Sequence, residues 1–213
     1  MKDRFRIIFI QFTCPSDVSF FITYYIKSLE GTIIIKRGWK SLLKYIFGDW
    51  KVNDSFISRI VISTYRFGNW SFYKFKIPVI RQLLLVLYKI LDLLIVKTVA
   101  GADIPHKCKI GKRIYIAHGA NGVVIHPNAI LGDDIRIYHQ VTIGSAGFGN
   151  NKAPVLNNRV FVGVGARVLG EIILGQGSRV GANAVLMESL QEDIAAVGIP
   201  AKPYLKNRNA NNL

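Results

Sequence analysis

"LNNRVFVGVGARVLGEIILGQGSRVGANAVL", residues 156–186, decides how this chain folds. Leu156, Val162, Val168, Leu174, Val180 and Leu186 recur every six residues without a miss. A helix repeats near 3.6 and a strand at 2, so neither explains that step. Glycine follows the aliphatic at 163, 175 and 181, and mostly small or branched residues come four after it, at Val160, Ala166, Ile172, Ser178 and Ala184. Working outward, Ile125, Leu131, Ile137 and Ile143 keep the same step, and Ile104, Ile110 and Ile116 keep it before them. Thirteen aliphatics therefore fit one template.

A fixed six-residue period implies a solenoid. Each hexad makes one short flat side with its aliphatic pointing inward, and small residues let the chain turn. Three hexads close a triangular coil, and coils stack as parallel strands ~4.8 Å apart. Thirteen hexads make just over four coils of a left-handed parallel β-helix, an exception to the right-handed crossover preference.

The register slips twice. Three extra residues fall within "HGANGVV", 118–124, and seven around "SAGFGNNKAPV", 145–155. Loops on a rigid scaffold are where chemistry is placed. His118 comes two residues after Ile116 and His139 two after Ile137, one full coil later, so the two should stack. His106 and His126 fall in other columns and read as surface residues.

Residues 1–100 read mainly as helices, over "DVSFFITYYIKSLEG" (17–31), "IKRGWKSLLKYIFGDW" (35–50) and "SFISRIVISTYRFGNW" (55–70). "PVIRQLLLVLYKILDLLIVKTV", 78–99, is the most apolar stretch. Arg81, Lys89, Asp92 and Lys97 interrupt it, so a buried or interfacial helix is expected rather than a membrane span. The fold class is thus α+β, with a helical domain over 1–100 and a β-helix over 101–213 ending in a short tail.

The formal net charge is +15. Residues 1–100 hold 16 Lys/Arg against 6 Asp/Glu, and the rest 12 against 7. A basic first half suits an anionic lipid surface or a phosphorylated ligand. Nucleic acid is not expected, because no recognition helix or aromatic-plus-basic motif accompanies the charge. Two isolated cysteines, Cys14 and Cys108, suit a reducing cytosol. The opening "MKDRFRIIFIQFTC" lacks a small-residue cleavage site, so a signal peptide is not expected.

Taken together, "DIPHKCKIG", "AHGANGVVIHPNAILGDD", "VTIGSAGFG", the 162–186 run and "VGIPAKP" resemble the hexapeptide-repeat acyltransferases. The likeness is greatest to their serine acetyltransferase branch, from about Gly101 to Lys206. "STYRFGNW", a helix and then "ADIP" resemble the members found with surface-polysaccharide synthesis. The resemblance implies acetyl-CoA as co-substrate, bound along the solenoid in a groove between subunits of a homotrimer or dimer of trimers. It implies that His118 takes a proton from the acceptor hydroxyl, that Asp103 orients it, and that His139 stands beside it. It places the pantetheine by Gly144, Ala166, Gly181 and Ala182, and the phosphates by Arg179 and Lys202. It implies no metal and no covalent nucleophile.

Two departures bear on the acceptor. The serine-specific pattern has an acidic residue before the base histidine, where Ala117 stands, and Arg-His-Pro in the second loop, where Lys152, Ala153 and Pro154 stand. The expectation is therefore O-acetylation of a sugar hydroxyl of a surface polysaccharide or its precursor. The protein would be cytoplasmic, with its basic half touching the inner face of the membrane. Serine O-acetyltransferase is the alternative of the same class; a non-catalytic trimeric binding solenoid is the alternative of another.

Overall fold

The computed structural model describes residues 11–12, 20–21, 36–75, 77–147 and 151–204. The chain falls into two compact units, Met1–Tyr45 and Ile46–Leu213. In the first, Gln11–Phe12 and Phe20–Phe21 pair as a short antiparallel ribbon. Phe20–Phe21 are thus strand, not helix; the rest of the helix expected over 17–31, the opening stretch apart from Gln11–Phe12, and Cys14 lie outside the described residues. Helix α1 covers Lys36–Phe47.

The second unit begins with helices α2 (Phe56–Tyr73) and α3 (Pro78–Leu91). Proline at the first turn of α3 costs no hydrogen bond there. The chain then winds as a π-helix over Asp92–Val99. Within it the Thr98 hydroxyl donates to the Leu93 carbonyl, five residues back, at 2.7 Å. Residue 100 marks where helix gives way to solenoid, while the compact unit starts earlier because α2 packs on the first coil.

The six-residue template becomes three parallel faces, as the aliphatic period requires. On the first face Ile116, Ile137, Val162, Val180 and Ala196 lie in register. The second aligns Ile125, Ile143, Val168 and Leu186, and the third Ile110, Leu131, Leu156 and Leu174. All thirteen template aliphatics are buried in one continuous core. At about 25 cal/mol per Å² of apolar area, burial of these columns is the main force closing the prism.

The corners work differently from the expectation. The small residue two before each aliphatic does not make the turn: Ala129, Ala166, Ser178 and Ala184 are fully buried and fill the corner from inside. The residue before it carries the left-handed conformation, at Arg113, Asp134, Gln140, Arg159, Gly165, Gly177, Asn183 and Asp193. Glycine after the aliphatic answers to close approach. A Cβ on Gly163 would stand 2.8 Å from the Ala182 amide nitrogen in the next coil.

Each end of a solenoid exposes unpaired backbone groups. Side chains from α2 and the segment before it cover the first coil. The Tyr65 hydroxyl donates to the Cys108 carbonyl (2.8 Å) and accepts from the Ile110 amide (3.1 Å). Asn69 donates to the His106 and Cys108 carbonyls. Arg66 donates to the Ile110 and Gly111 carbonyls, and Asn53 bridges the Ile114 carbonyl and the Ile116 amide. Asp49 holds Arg66 at 2.8 Å and accepts from the Ile114 amide, both side chains being 3 % exposed. At the other end, Ala195–Val197 pairs antiparallel with Lys202–Tyr204.

Candidate active site

The first slip in the repeat is a single tight turn. His118, Gly119 and Ala120 are all left-handed, with φ of 50°, 71° and 62°. Such a conformation costs an L-residue about 1–2 kcal/mol, so other contacts must hold it. The Ala120 amide donates to the Ala117 carbonyl at 3.0 Å. The Gly119 amide donates to Ser58 Oγ of α2, also at 3.0 Å, inside the protein. Ala120 is fully buried. With its neighbours packed inward, the His118 side chain stands exposed.

The register places His139 one coil away. The His118 and His139 rings lie 4.8 Å apart, edge to face at 89°. Tyr138 flanks His118 at 6.3 Å. His139 Nδ1 is buried and has no hydrogen-bond partner among the described residues.

Both histidines lie on one edge of the prism, where the first face turns into the second. Further along it come the corners Gly163–Ala166, Gly181–Ala184 and Gly198–Ala201. Four coil spacings separate the His118 corner from the last, about 19 Å. Gly181 and the exposed Ala182 belong to this edge. Ala166 sits at the corner with its methyl in the core, its amide donating to Gly163 and its carbonyl accepting from Thr142. Gly144 ends the second-face strand Thr142–Gly144, with ordinary van der Waals space where a Cβ would stand. Arg179 is exposed over the Phe161 ring at 5.7 Å, and Lys202 is exposed in the terminal strand.

Asp103 flanks the exit of the His118 turn: its amide donates to the Val123 carbonyl, and its carbonyl accepts from the Ile125 amide. Its carboxylate is 54 % exposed and faces Lys97 at 4.0 Å. Among the described residues no hydrogen bond joins Asp103 to His118. The structure therefore brings His118 and His139 together and sets Asp103 beside their turn.

The other histidines have local duties. His126 Nδ1 accepts from the Asn128 amide at 3.1 Å, within its own turn. His106 is not a surface residue. It is half-buried between Phe72 and Tyr88, at 5.0 and 4.9 Å, where burial and then Lys107 and Lys89 push its pKa down. Burial also pushes the Cys108 thiol up to about 12, so it stays protonated and unreactive near neutral pH. Ser58 escaped the sequence reading, because a serine on a helix carries no periodic signal.

No family model matches the chain. It is 46 % identical over 111 residues to a serine acetyltransferase of Helicobacter pylori (strain J99 / ATCC 700824), covering 52 % of this chain and 64 % of that protein. A serine acetyltransferase of Mycobacterium tuberculosis is 43 % identical over 107 residues, 50 % of this chain and 46 % of that one. The chain thus spans between about half and two thirds of these relatives. Among solved structures, soybean serine acetyltransferase complexed with serine superposes with a TM-score of 0.64 at 27 % identity, covering 78 % of this chain and 70 % of that one. A truncated serine acetyltransferase apoenzyme gives 0.60 at 27 %, covering 70 % and 59 %.

These relatives overturn the expectation of a polysaccharide acceptor. That expectation leaned on Ala117, which is 2 % exposed with its amide bonded to the Ile137 carbonyl. Its methyl packs the turn from inside and identifies no acceptor. Lys152 is bonded to Glu171, and Ala153 is partly buried against the core. Over the solenoid in sequence, and in fold, this chain is similar to serine acetyltransferases, as a hexapeptide-repeat solenoid.

Proposed function

We propose that the chain is a serine O-acetyltransferase, moving the acetyl group of acetyl-CoA to the hydroxyl of L-serine. The observation that carries this reading is His118. It stands exposed on a braced turn, at one end of an edge that leads to Arg179 and Lys202, in a chain whose relatives are serine acetyltransferases.

A serine hydroxyl is a poor nucleophile, and an imidazole titrating near neutrality can remove its proton as it attacks. In the proposed step the hydroxyl oxygen bonds to the thioester carbonyl carbon while His118 takes the proton. The tetrahedral intermediate collapses, the carbon–sulfur bond breaks, and the imidazolium returns the proton to the departing thiolate. Asp103 orients the ring, and His139 supports it from the next coil. The pantetheine lies along Gly144, Gly181 and Ala182, with Ala166 filling the corner beneath. Arg179 and Lys202 meet the phosphates, the first with a forked guanidinium and the second with a compact ammonium. A homotrimer, with a neighbouring copy closing the groove, and a cytoplasmic location complete the proposal.

The test uses the purified full chain with acetyl-CoA and L-serine, following CoA release and O-acetylserine by mass. Wild type should acetylate serine, and His118→Ala should lower kcat by about a hundredfold or more. Wild type that leaves serine unmodified, or a His118→Ala variant with full activity, overturns the reading.

A further inference from the structure

Helix α3 and its π-helical continuation grip the rest of the unit by a narrow seam. Only Tyr88 and Val96 are buried along Pro78–Val99. Tyr88 lies over Gly68 of α2, where an added Cβ would stand 2.3 Å from the ring, and its hydroxyl bonds to Asp92 and the His106 amide. The opposite side is apolar and open. Val79, Leu83, Val86 and Ile90 follow one another at helical spacing, and Leu93 and Leu94 extend the row, at 47–72 % exposure. A soluble surface scatters single apolar side chains; a contiguous row of this length marks an interaction site.

The charge on the flank of the row is basic: Lys89 is exposed there. Arg81 stands on the side of Tyr88, its guanidinium 5.7 Å over the Phe72 ring with Lys107 near the same ring, and Lys97 lies between Asp92 and Asp103. Asp92 is the helix's carboxylate; it is 13 % exposed, bonded to Tyr88 and near Lys97 at 3.8 Å. A second copy is a poor occupant. Antiparallel pairing of two such helices sets Lys89 against Lys89 beside the row, with no exposed carboxylate of the helix to answer them. No helix among the described residues is long and apolar enough to cross a membrane.

We propose that α3 is an interfacial helix that lays its apolar row into the headgroup boundary of an anionic lipid surface. Lys89 reaches the lipid phosphates from the flank. A bilayer surface supplies both things this face lacks, an apolar layer and a sheet of negative charge above it. Long basic side chains suit that geometry, since their stems cross apolar ground while their heads stay in water. The apolar row shares no residue with the proposed acyl-transfer site, so binding and activity can fail separately.

The full chain is mixed with vesicles of phosphatidylcholine containing about one third phosphatidylglycerol, and with pure phosphatidylcholine vesicles, then floated on a gradient. It should float with the anionic vesicles and stay largely behind with the neutral ones. Lys89→Gln should weaken anionic binding about fivefold, and Arg81→Gln, on the packed side, should change it little. Leu83→Ser with Ile90→Ser should abolish it, with oligomeric state by sedimentation and acetyl transfer unchanged. In a Val86→Trp variant, tryptophan emission should shift to the blue on adding anionic vesicles. Absence of flotation with anionic vesicles overturns the proposal. So does a Leu83→Ser/Ile90→Ser variant that still floats, or one whose oligomeric state changes, since the face is then a contact between copies.

Discussion

Ser58 of α2 accepts a hydrogen bond from the Gly119 amide at 3.0 Å, one residue past His118. The helical region thus reaches into the turn that displays the proposed base. Ser58 is fully buried, so water cannot replace its hydroxyl. In Ser58→Ala the Gly119 amide is left unpaired, a cost of about 1–3 kcal/mol, borne by a turn that is already left-handed at three residues. The expected result is a severalfold lower kcat with KM for acetyl-CoA little changed, partly restored by Ser58→Thr. Steady-state kinetics on the three proteins check it. Equal loss in Ala and Thr variants, or a change confined to KM, would show that the hydroxyl does not position His118.

Arg66 and Asp49 form a buried pair that also serves the backbone of the first coil. Arg66→Met leaves the Asp49 carboxylate without its cation and the Ile110 and Gly111 carbonyls without that donor. Breaking one side of such a pair costs about 3–5 kcal/mol. Urea unfolding should show a loss of that size. A loss under about 1 kcal/mol would mean the pair is peripheral to stability.

His106 makes stability depend on pH. Its folded pKa is lowered from 6.5, by burial first and then by Lys107 and Lys89. As pH falls, the unfolded chain therefore takes up the proton first. The contribution is complete above about 6.5 and drains as pH falls from there through the lower folded pKa. His106→Phe keeps a ring between Phe72 and Tyr88 and removes the proton site. Between pH 7.5 and 5.5 wild type should lose more melting temperature than the variant. Parallel curves for the two proteins contradict the assignment.

Gly163 and Gly144 separate steric need from mere smallness. A Cβ on Gly163 meets the Ala182 amide nitrogen at 2.8 Å, and backbone cannot swing aside. On Gly144 the nearest atom is the Thr142 methyl at 3.7 Å. Gly163→Ala should destabilise by about 1–3 kcal/mol as overpacking does, and Gly144→Ala by under about 0.5 kcal/mol. Denaturant midpoints of the two variants decide it; equal effects would remove the coil-contact explanation.

The solenoid is legible because its period constrains thirteen positions at once and resumes in step after each of the two insertions. The His118–His139 pair followed from the same arithmetic. The turn mechanism did not, because a left-handed corner tolerates Arg113, Asp134 or Asn183 alike and leaves no pattern. The capping of the first coil was hidden as well: Tyr65, Arg66 and Asn69 interrupt an apolar helix, but nothing in sequence says which carbonyls they meet. The acceptor was misread for a related reason. Specificity rests on a few side chains outside the period, and the missing acidic residue at 117 carries no acceptor information, because that position faces the interior.

Because both ends of the prism are closed by their own devices, α2 at one and the Lys202–Tyr204 strand at the other, the coils between them can be counted like divisions on a ruler. The gap between the imidazole at the first division and Arg179 at the fourth, or Lys202 at the closing end, is then set by whole strand spacings. Inserting or deleting eighteen residues, one full coil, would change the reach of the edge by ~4.8 Å while leaving either end untouched. A fold of this kind measures its ligand in fixed steps, and length becomes a trait that changes separately from chemistry.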